Sequence, residues 1–456
     1  MLIAAMVIAL LSGCYGKGSS ADPPANFTAT AGDGRVMLTW TPASGVDYWL
    51  FAAASPSLTA FNWSGLPYAL AYINAPTPFY MCGLFDDVQY YFAANGRING
   101  GPGGPSSPTI TAMPYNASAS TWNTGSASPA TNLYGIGYAS LTSCSNLVTT
   151  SSTGKFAVVG AGGAIYTSYD GQSWNAETSP TSSDLYAVAG YAADQNNALL
   201  PALRWMAVGN AGTVVYYQDS TGWVDANSLP GSNLSTVNPA NTLRSVTQVA
   251  GTFYAVGDSG TIISTSDGIN WTHRPYNSPN PTTENLNGVT HGSIFVAVGD
   301  NGTILISGDG NTWTPPTTIS PAILSGTKLR QAISFAGIYG SINVAVGDNG
   351  TIVTSDSYHG INNWSTQTLT GNPQLVGITV ELRAVDPAIT SSDPSLGVIS
   401  TAQFVAVDNN GNAYTSVNGY DWSAAIPTGA SSLNTLVSSG FGYVAAGNSG
   451  VTAYAF

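Results

Sequence analysis

At 456 residues the chain is too long for one ordinary domain and predicts two or three. Only 7% of residues are charged, while 43% are hydrophobic and 52 are Gly, which excludes a disordered chain and suits short strands with tight turns better than helices. A formal charge of −13, with 10 Lys plus Arg, excludes the basic stripe that a nucleic-acid partner requires.

The apolar run Leu2 to Leu11 is too short to span a bilayer and has signal-peptide length. Leu11-Ser12-Gly13-Cys14 follows, then the polar stretch YGKGSSADPP. Leu-Ser-Gly-Cys resembles a bacterial lipobox. The resemblance implies a signal peptide over 1–13, lipid on Cys14, a tether over 14–22 and anchoring by acyl chains alone. Tyr15 in place of Asp implies the outer membrane, on its periplasmic or its surface side. The alternative is an ordinary secretory signal with an incidental Cys. No Lys or Arg precedes the run, which leaves a translation start upstream of Met1 open. In the oxidising compartment this implies, Cys82 and Cys144 either bridge two domains or stay as buried thiols. No Cys-x-x-Cys is present, which removes haem attachment and thioredoxin-like chemistry.

Residues 23–115 alternate with period two in NFTATAG, RVMLTWT, DYWLFAAA, QYYFAANG and PTITAMP, punctuated by Gly, Pro and Asp, which predicts a small antiparallel sandwich. Pro23-Pro24 with Phe27, Trp40 in the second strand, Leu84 six residues before Tyr90, and GGPGGPSSP before the last strand resemble a fibronectin type III domain. That resemblance implies a spacer or interaction module without catalysis.

From 117 to 456 the chain repeats. A Leu-x-x-Val run recurs at LYGI 133, LYAV 185, LRSV 243, LNGV 286, LRQA 329, LRAV 382 and LNTL 433. An aromatic-x-Ala-Val-Gly run follows each, as in FYAVG at 253 and FVAVG at 295, then a two-residue turn such as Asp-Asn-Gly, an alternating strand, and a strand with one Trp. Four short strands per unit predict a propeller blade. Seven starts are visible, yet the chain stops after the third strand of the seventh unit. Its missing Trp strand is supplied by ASTWNTGSASP at 119–129, giving one Trp per unit: Trp122, Trp174, Trp223, Trp271, Trp313, Trp364 and Trp422. The expected fold is all-β: a fibronectin type III-like sandwich, then a seven-bladed β-propeller over 117–456 closed by an N-terminal outer strand within 117–130.

SYDGQSW at 168, TSDGINW at 265, SGDGNTW at 307 and SVNGYDW at 416 share the turn between the third and fourth strands. They resemble the Asp-box, or bacterial neuraminidase repeat, and most closely the blades of photosystem-II assembly-factor-like propellers. Four copies on separate blades cannot converge on one substrate. Asp170, Asp267, Asp309 and Asn418 are therefore expected to brace turns rather than to catalyse.

Sialidase chemistry is poorly supplied: the propeller has five arginines and three glutamates, and Asp184 and Glu381, both just before first strands, fall on blades that are not neighbours. His273, His291 and His359 lack metal-ligand spacing and are expected on solvent-facing loops. No catalytic residue, metal or cofactor is expected. Arg244, Arg330 and Arg383 share the slot after the Leu of the innermost strand, where other units hold Tyr134, Tyr186, Asn287 and Asn434. Equivalent positions lie at one height around an axis, so these residues are expected to form a cationic and aromatic ring. It either binds a partner, as the resemblance implies for the arginines, or serves inter-blade hydrogen bonds. The expected function is a lipid-anchored, non-enzymatic scaffold binding an envelope protein through the propeller face. The alternative is a carbohydrate-binding or sialidase-like propeller.

Overall fold

The computed structural model describes residues 18–32, 35–75, 77, 79–82, 84, 88–114, 119–126, 131–139, 154–193, 202–218, 221–238, 240–274, 282–320, 325–337, 340–382, 402–439 and 442–456. Cys14, Cys144 and Arg383 lie outside them. The chain divides into two compact units, one built on residues 1–117 and one on 118–141 with 154–456. Among the described residues no helix is long and apolar enough to cross a membrane.

The first unit contains β1 (Ser19–Ala21), β2 (Ala25–Gly32), β3 (Arg35–Thr41), β4 (Asp47–Ala53), β5 (Leu70–Tyr72), β6 (Phe79–Cys82), β7 (Tyr90–Ile98) and β8 (Ile110–Ala112). One sheet runs β2-β3-β6; the other runs β5-β4-β7, with β8 and β1 sharing the far edge of β7. Alternation sends Val36, Leu38 and Trp40 of β3 to meet Tyr48, Leu50, Tyr90 and Phe92 in one core. Trp40 takes edge contacts from Phe27 and Tyr48, and Leu84 is buried with Tyr90 in the same core. A second cluster, which the period-two pattern did not predict, forms on the opposite face of the β4–β7 sheet. There Leu58, Ala60 and Trp63 of the β4–β5 connection cover Phe51 and Ala93.

In the second unit the described residues form seven small sheets. Their innermost strands are Leu133–Ala139, Leu185–Ala193, Leu243–Val249, Leu286–His291, Leu329–Gly337, Leu375–Leu382 and Leu433–Ser438. Each packs against the next, and the last against the first, so the sheets form a closed ring, the architecture of a β-propeller. The seventh sheet takes its outer strand from the start of the unit: β9 (Asn123–Ser126) pairs antiparallel with Val451–Ala455. Between neighbouring sheets lie apolar layers, such as Val296, Val298, Ala345 and Val353 around the 1% exposed Trp364.

The hairpin turns follow from residue chemistry. In Asp300-Asn301-Gly302-Thr303, the Thr303 amide donates to the Asp300 carbonyl, and Asn301 and Gly302 take φ of 54° and 70°. Such a turn needs positive φ at both central positions, which Asn-Gly tolerates best. The Gly that closes the Ala-Val-Gly run has a different cause. A Cβ on Gly257 would stand 2.0 Å from the Thr242 carbonyl oxygen, at the entry to the innermost strand.

Two features depart from expectation. The sixth innermost strand begins at Leu375, which pairs with Asp408 as Leu243 pairs with Gly257; its repeat start is LVGI at 375, not LRAV at 382. The strand Leu375–Leu382 holds the whole of LVGI and only the leading Leu of LRAV, and cross-strand register selects the first. The fourth sheet has three strands plus a single bridge, Ile306 to Thr314. Pro315 and Pro316 then remove two N–H donors, and the chain leaves to pair Thr318–Ser320 parallel with Asn363–Thr368 of the fifth sheet.

Candidate functional site

Every innermost strand carries an irregularity at one position. Register slips between the leading Leu and the residue two further on in all seven sheets, for example between Leu243 and Ser245. The intervening residue is therefore a β-bulge, the device by which a strand re-aims one side chain. The seven bulged residues are Tyr134, Tyr186, Arg244, Asn287, Arg330, Val376 and Asn434. All seven line a single open depression of about 300 Å³, together with Lys328. Tyr134, Tyr186, Arg244 and Arg330 thus meet as the repeat predicts. The sixth bulged position belongs to Val376; Arg383, expected in this slot, lies outside the described residues.

The electrostatics also differ from a cationic ring. Arg244 Nε donates to Asp258 Oδ1 at 2.6 Å, and Arg330 Nε donates to Asp348 Oδ1 at 2.6 Å. Asn287 Nδ2 donates to Asp300 Oδ1 at 2.8 Å, and Lys328 lies 3.7 Å from the same carboxylate. Asn434 Nδ2 donates to Asn448 Oδ1 at 2.8 Å and to the Leu133 carbonyl oxygen of the next sheet. In each case the bulged residue is pinned to the first residue of its own sheet's hairpin turn. Where the bulge is Tyr134, Tyr186 or Val376, the turn residue is Ala161, Asn210 or Asn409. Pinned charged groups thus occupy sheets three to five, and an aromatic arc occupies sheets one and two, where the Tyr134 and Tyr186 rings lie 5.6 Å apart. Burial, with Asp184 and Tyr134 nearby, raises the Tyr186 hydroxyl above its ordinary pKa. Burial alone would raise Asp300, but the amides of Asn287 and Asn285, with Lys328, hold it below.

The Asp-box turns show a contrasting pattern. Ser168 Oγ accepts from the Gly171 amide and donates to Asp170 Oδ1, which accepts from the Gln172 and Ser173 amides at 2.8 and 2.7 Å. Thr265 with Asp267, Ser307 with Asp309, and Ser416 with Asn418 repeat these bonds. Burial would raise the Asp267 carboxyl, but the Asn270 side chain, the amides of Asn270 and Ile269, and the Thr265 hydroxyl bring it down to about 2. Trp271, Trp313 and Trp422 each donate Nε1 to the carbonyl of the box Gly.

The other candidates do not assemble into a reactive centre. Asp184 receives the Gly162 amide at the ring face. Glu381 lies six residues along the sixth innermost strand, roughly 20 Å from that face, buried and accepting from Ser438 Oγ and the Gly442 amide. His291 is not a solvent-facing loop residue: it packs edge-on against Phe295 with centroids 4.3 Å apart, and burial lowers its pKa. His359 pairs through Nδ1 with Asp356, whose carboxylate also accepts from Tyr420 of the next sheet at 2.5 Å. Among the described residues no three His, Cys, Asp or Glu side chains gather as a metal site.

A family model described as the DUF6242 beta propeller domain matches residues 203–323, about a quarter of the chain. No curated protein matches the sequence. Similar solved structures include "YCF48 bound to D1 peptide", 14% identical over 75% of this chain and 96% of that one, with a TM-score of 0.48. "YCF48 from Cyanidioschyzon merolae" is 14% identical over 74% and 98%, with a TM-score of 0.46. The WD40 beta propeller domain of Doa1 is 10% identical over 71% and 92%, with a TM-score of 0.46.

Proposed function

We propose that this chain is a non-enzymatic binding protein of the bacterial cell envelope. A lipid on Cys14 of the Leu-Ser-Gly-Cys motif anchors it; a fibronectin type III-like domain over 23–115 spaces it; and a seven-bladed propeller over 117–456 carries the binding face. The observation that carries the reading is the convergence of seven bulged side chains on one depression. Seven separate bulges serve a shared surface better than seven separate hairpins. The two-sheet order of the first unit, with Trp40 at its centre, supports the spacer. The outer-membrane placement rests on the sequence motif.

Binding rather than hydrolysis is favoured by how the carboxylates are used. A glycosidase holds two carboxyl groups across the scissile bond, one as proton donor. Asp258, Asp300 and Asp348 are each engaged by a cation or an amide, and Asp300 is held in its ionised form. Immobilised full-length protein and its Tyr134→Ala/Tyr186→Ala variant, exposed to solubilised native envelope, test the reading. Wild type should retain a component that the variant loses. Equal retention by both discards the ring as the binding face. Loss of palmitate labelling in Cys14→Ser tests the anchor.

A further inference from the structure

We propose that the depression receives a neutral saccharide unit rather than an anionic group. This rests on the ring being the binding face. Around it stand three cations, Arg244, Lys328 and Arg330, each paired with a carboxylate, Asp258, Asp300 or Asp348, and Asp184 beside Tyr186 adds a further negative charge. A ligand carboxylate or phosphate approaching either guanidinium would meet a carboxylate already seated on it at 2.6 Å. Two anions sharing one guanidinium repel each other, which opposes binding. A hydroxyl meets no such conflict, because it accepts from a guanidinium N–H and donates to a carboxylate at once.

The pinning leaves groups suited to that exchange. Asp258 and Asp348 hold the arginines by Nε, and the Arg330 Nη2 contact to Gln374 Oε1 is long, at 3.4 Å. The Nη edges are thereby oriented without being consumed, a preorganisation that lowers the cost of binding. Beside Arg244, Tyr186 and then Tyr134 offer two ring faces with polar tips, a surface that suits the C–H face and hydroxyl rim of a sugar. Val376, between the Arg330 and Asn434 sheets, adds an apolar contact to the rim. The volume of about 300 Å³ lies at the small end of ligand sites, enough for one or two sugar rings and too small for a long chain lying flat.

The full-length protein can be titrated, by saturation-transfer NMR and calorimetry, with methyl glycosides and disaccharides of glucose, galactose, mannose and N-acetylglucosamine. Sialyllactose and a glutamate-rich peptide serve as anionic probes. At least one neutral probe should bind, with Kd changing less than about twofold between roughly 50 and 500 mM NaCl. Tyr134→Ala/Tyr186→Ala should weaken it by at least about tenfold, and Asp267→Ala should leave it unchanged. The proposal is overturned if no neutral probe binds, or if an anionic probe binds more tightly and loses about tenfold or more with salt. If it falls while the tyrosine variant still loses its envelope component, only the saccharide assignment fails. If that variant loses nothing in either assay, the ring reading fails with it.

Discussion

The propeller carries two belts of polar side chains that look alike in sequence and behave differently in space. In the Asp-box belt, each carboxylate or amide bonds within five residues, to its own turn, and four such turns never meet. In the bulge belt, bonds join residues 13 or more apart, as in Asn287 to Asp300 and Arg330 to Asp348, and the side chains converge on one cavity. Local bonding marks residues that hold shape, whereas convergence of residues from many strands marks a surface available to a ligand.

Several variants would break or sharpen this contrast. The largest effect is expected from deleting residues 119–126, which removes Trp122 and the four pairings of β9 with the last strand. The ring should lose its single cooperative transition in calorimetry, and retention of that transition would count against closure by β9. Next, Trp364→Ala should cost about 3–5 kcal/mol in denaturant melts, because a 1% exposed indole between two sheets leaves a large cavity. Within the Asp-box belt, Asp267→Ala should cost about 1–2 kcal/mol by freeing the amides of Ile269 and Asn270.

The pH dependence of that turn has a definite sign. Asp267 has its folded pKa depressed to about 2, so its stabilisation is complete above the unfolded carboxyl range near pH 4 and is lost as pH falls towards 2. Wild type should therefore lose more stability between pH 4 and 2 than Asp267→Asn, measured by chemical melts; equal losses would remove the carboxylate from the account. Smaller still, Arg244→Gln should cost within about 1 kcal/mol, since a one-third exposed ion pair is well screened.

Much of the propeller was legible because its signals are short. A Leu-x-x-Val start, a Gly-rich hairpin and a Trp recur within one unit, and each Asp-box makes its bonds locally. The misplaced sixth start shows the limit: LVGI at 375 and LRAV at 382 read alike, and only pairing with Asp408 decides between them. The bulges were not legible, since a bulge is a property of two strands in register. Neutralisation of the arginines was present in the text unread. Arg244 precedes a turn beginning with Asp258 and Arg330 one beginning with Asp348, whereas Tyr134 precedes one beginning with Ala161. The parallel crossover after Trp313 was announced by Pro315-Pro316, which a Trp-strand template passes over.

The division between the two belts is tested most directly by measuring melting and envelope-component retention together for two full-length variants. Asp267→Ala should lower the melting temperature by several degrees and retain the component. Tyr134→Ala/Tyr186→Ala should keep a single cooperative transition, at a cost of about 1–3 kcal/mol for the lost ring pair, and lose the component. The opposite assignment, with the Asp-box variant losing the component at unchanged stability, would contradict the account.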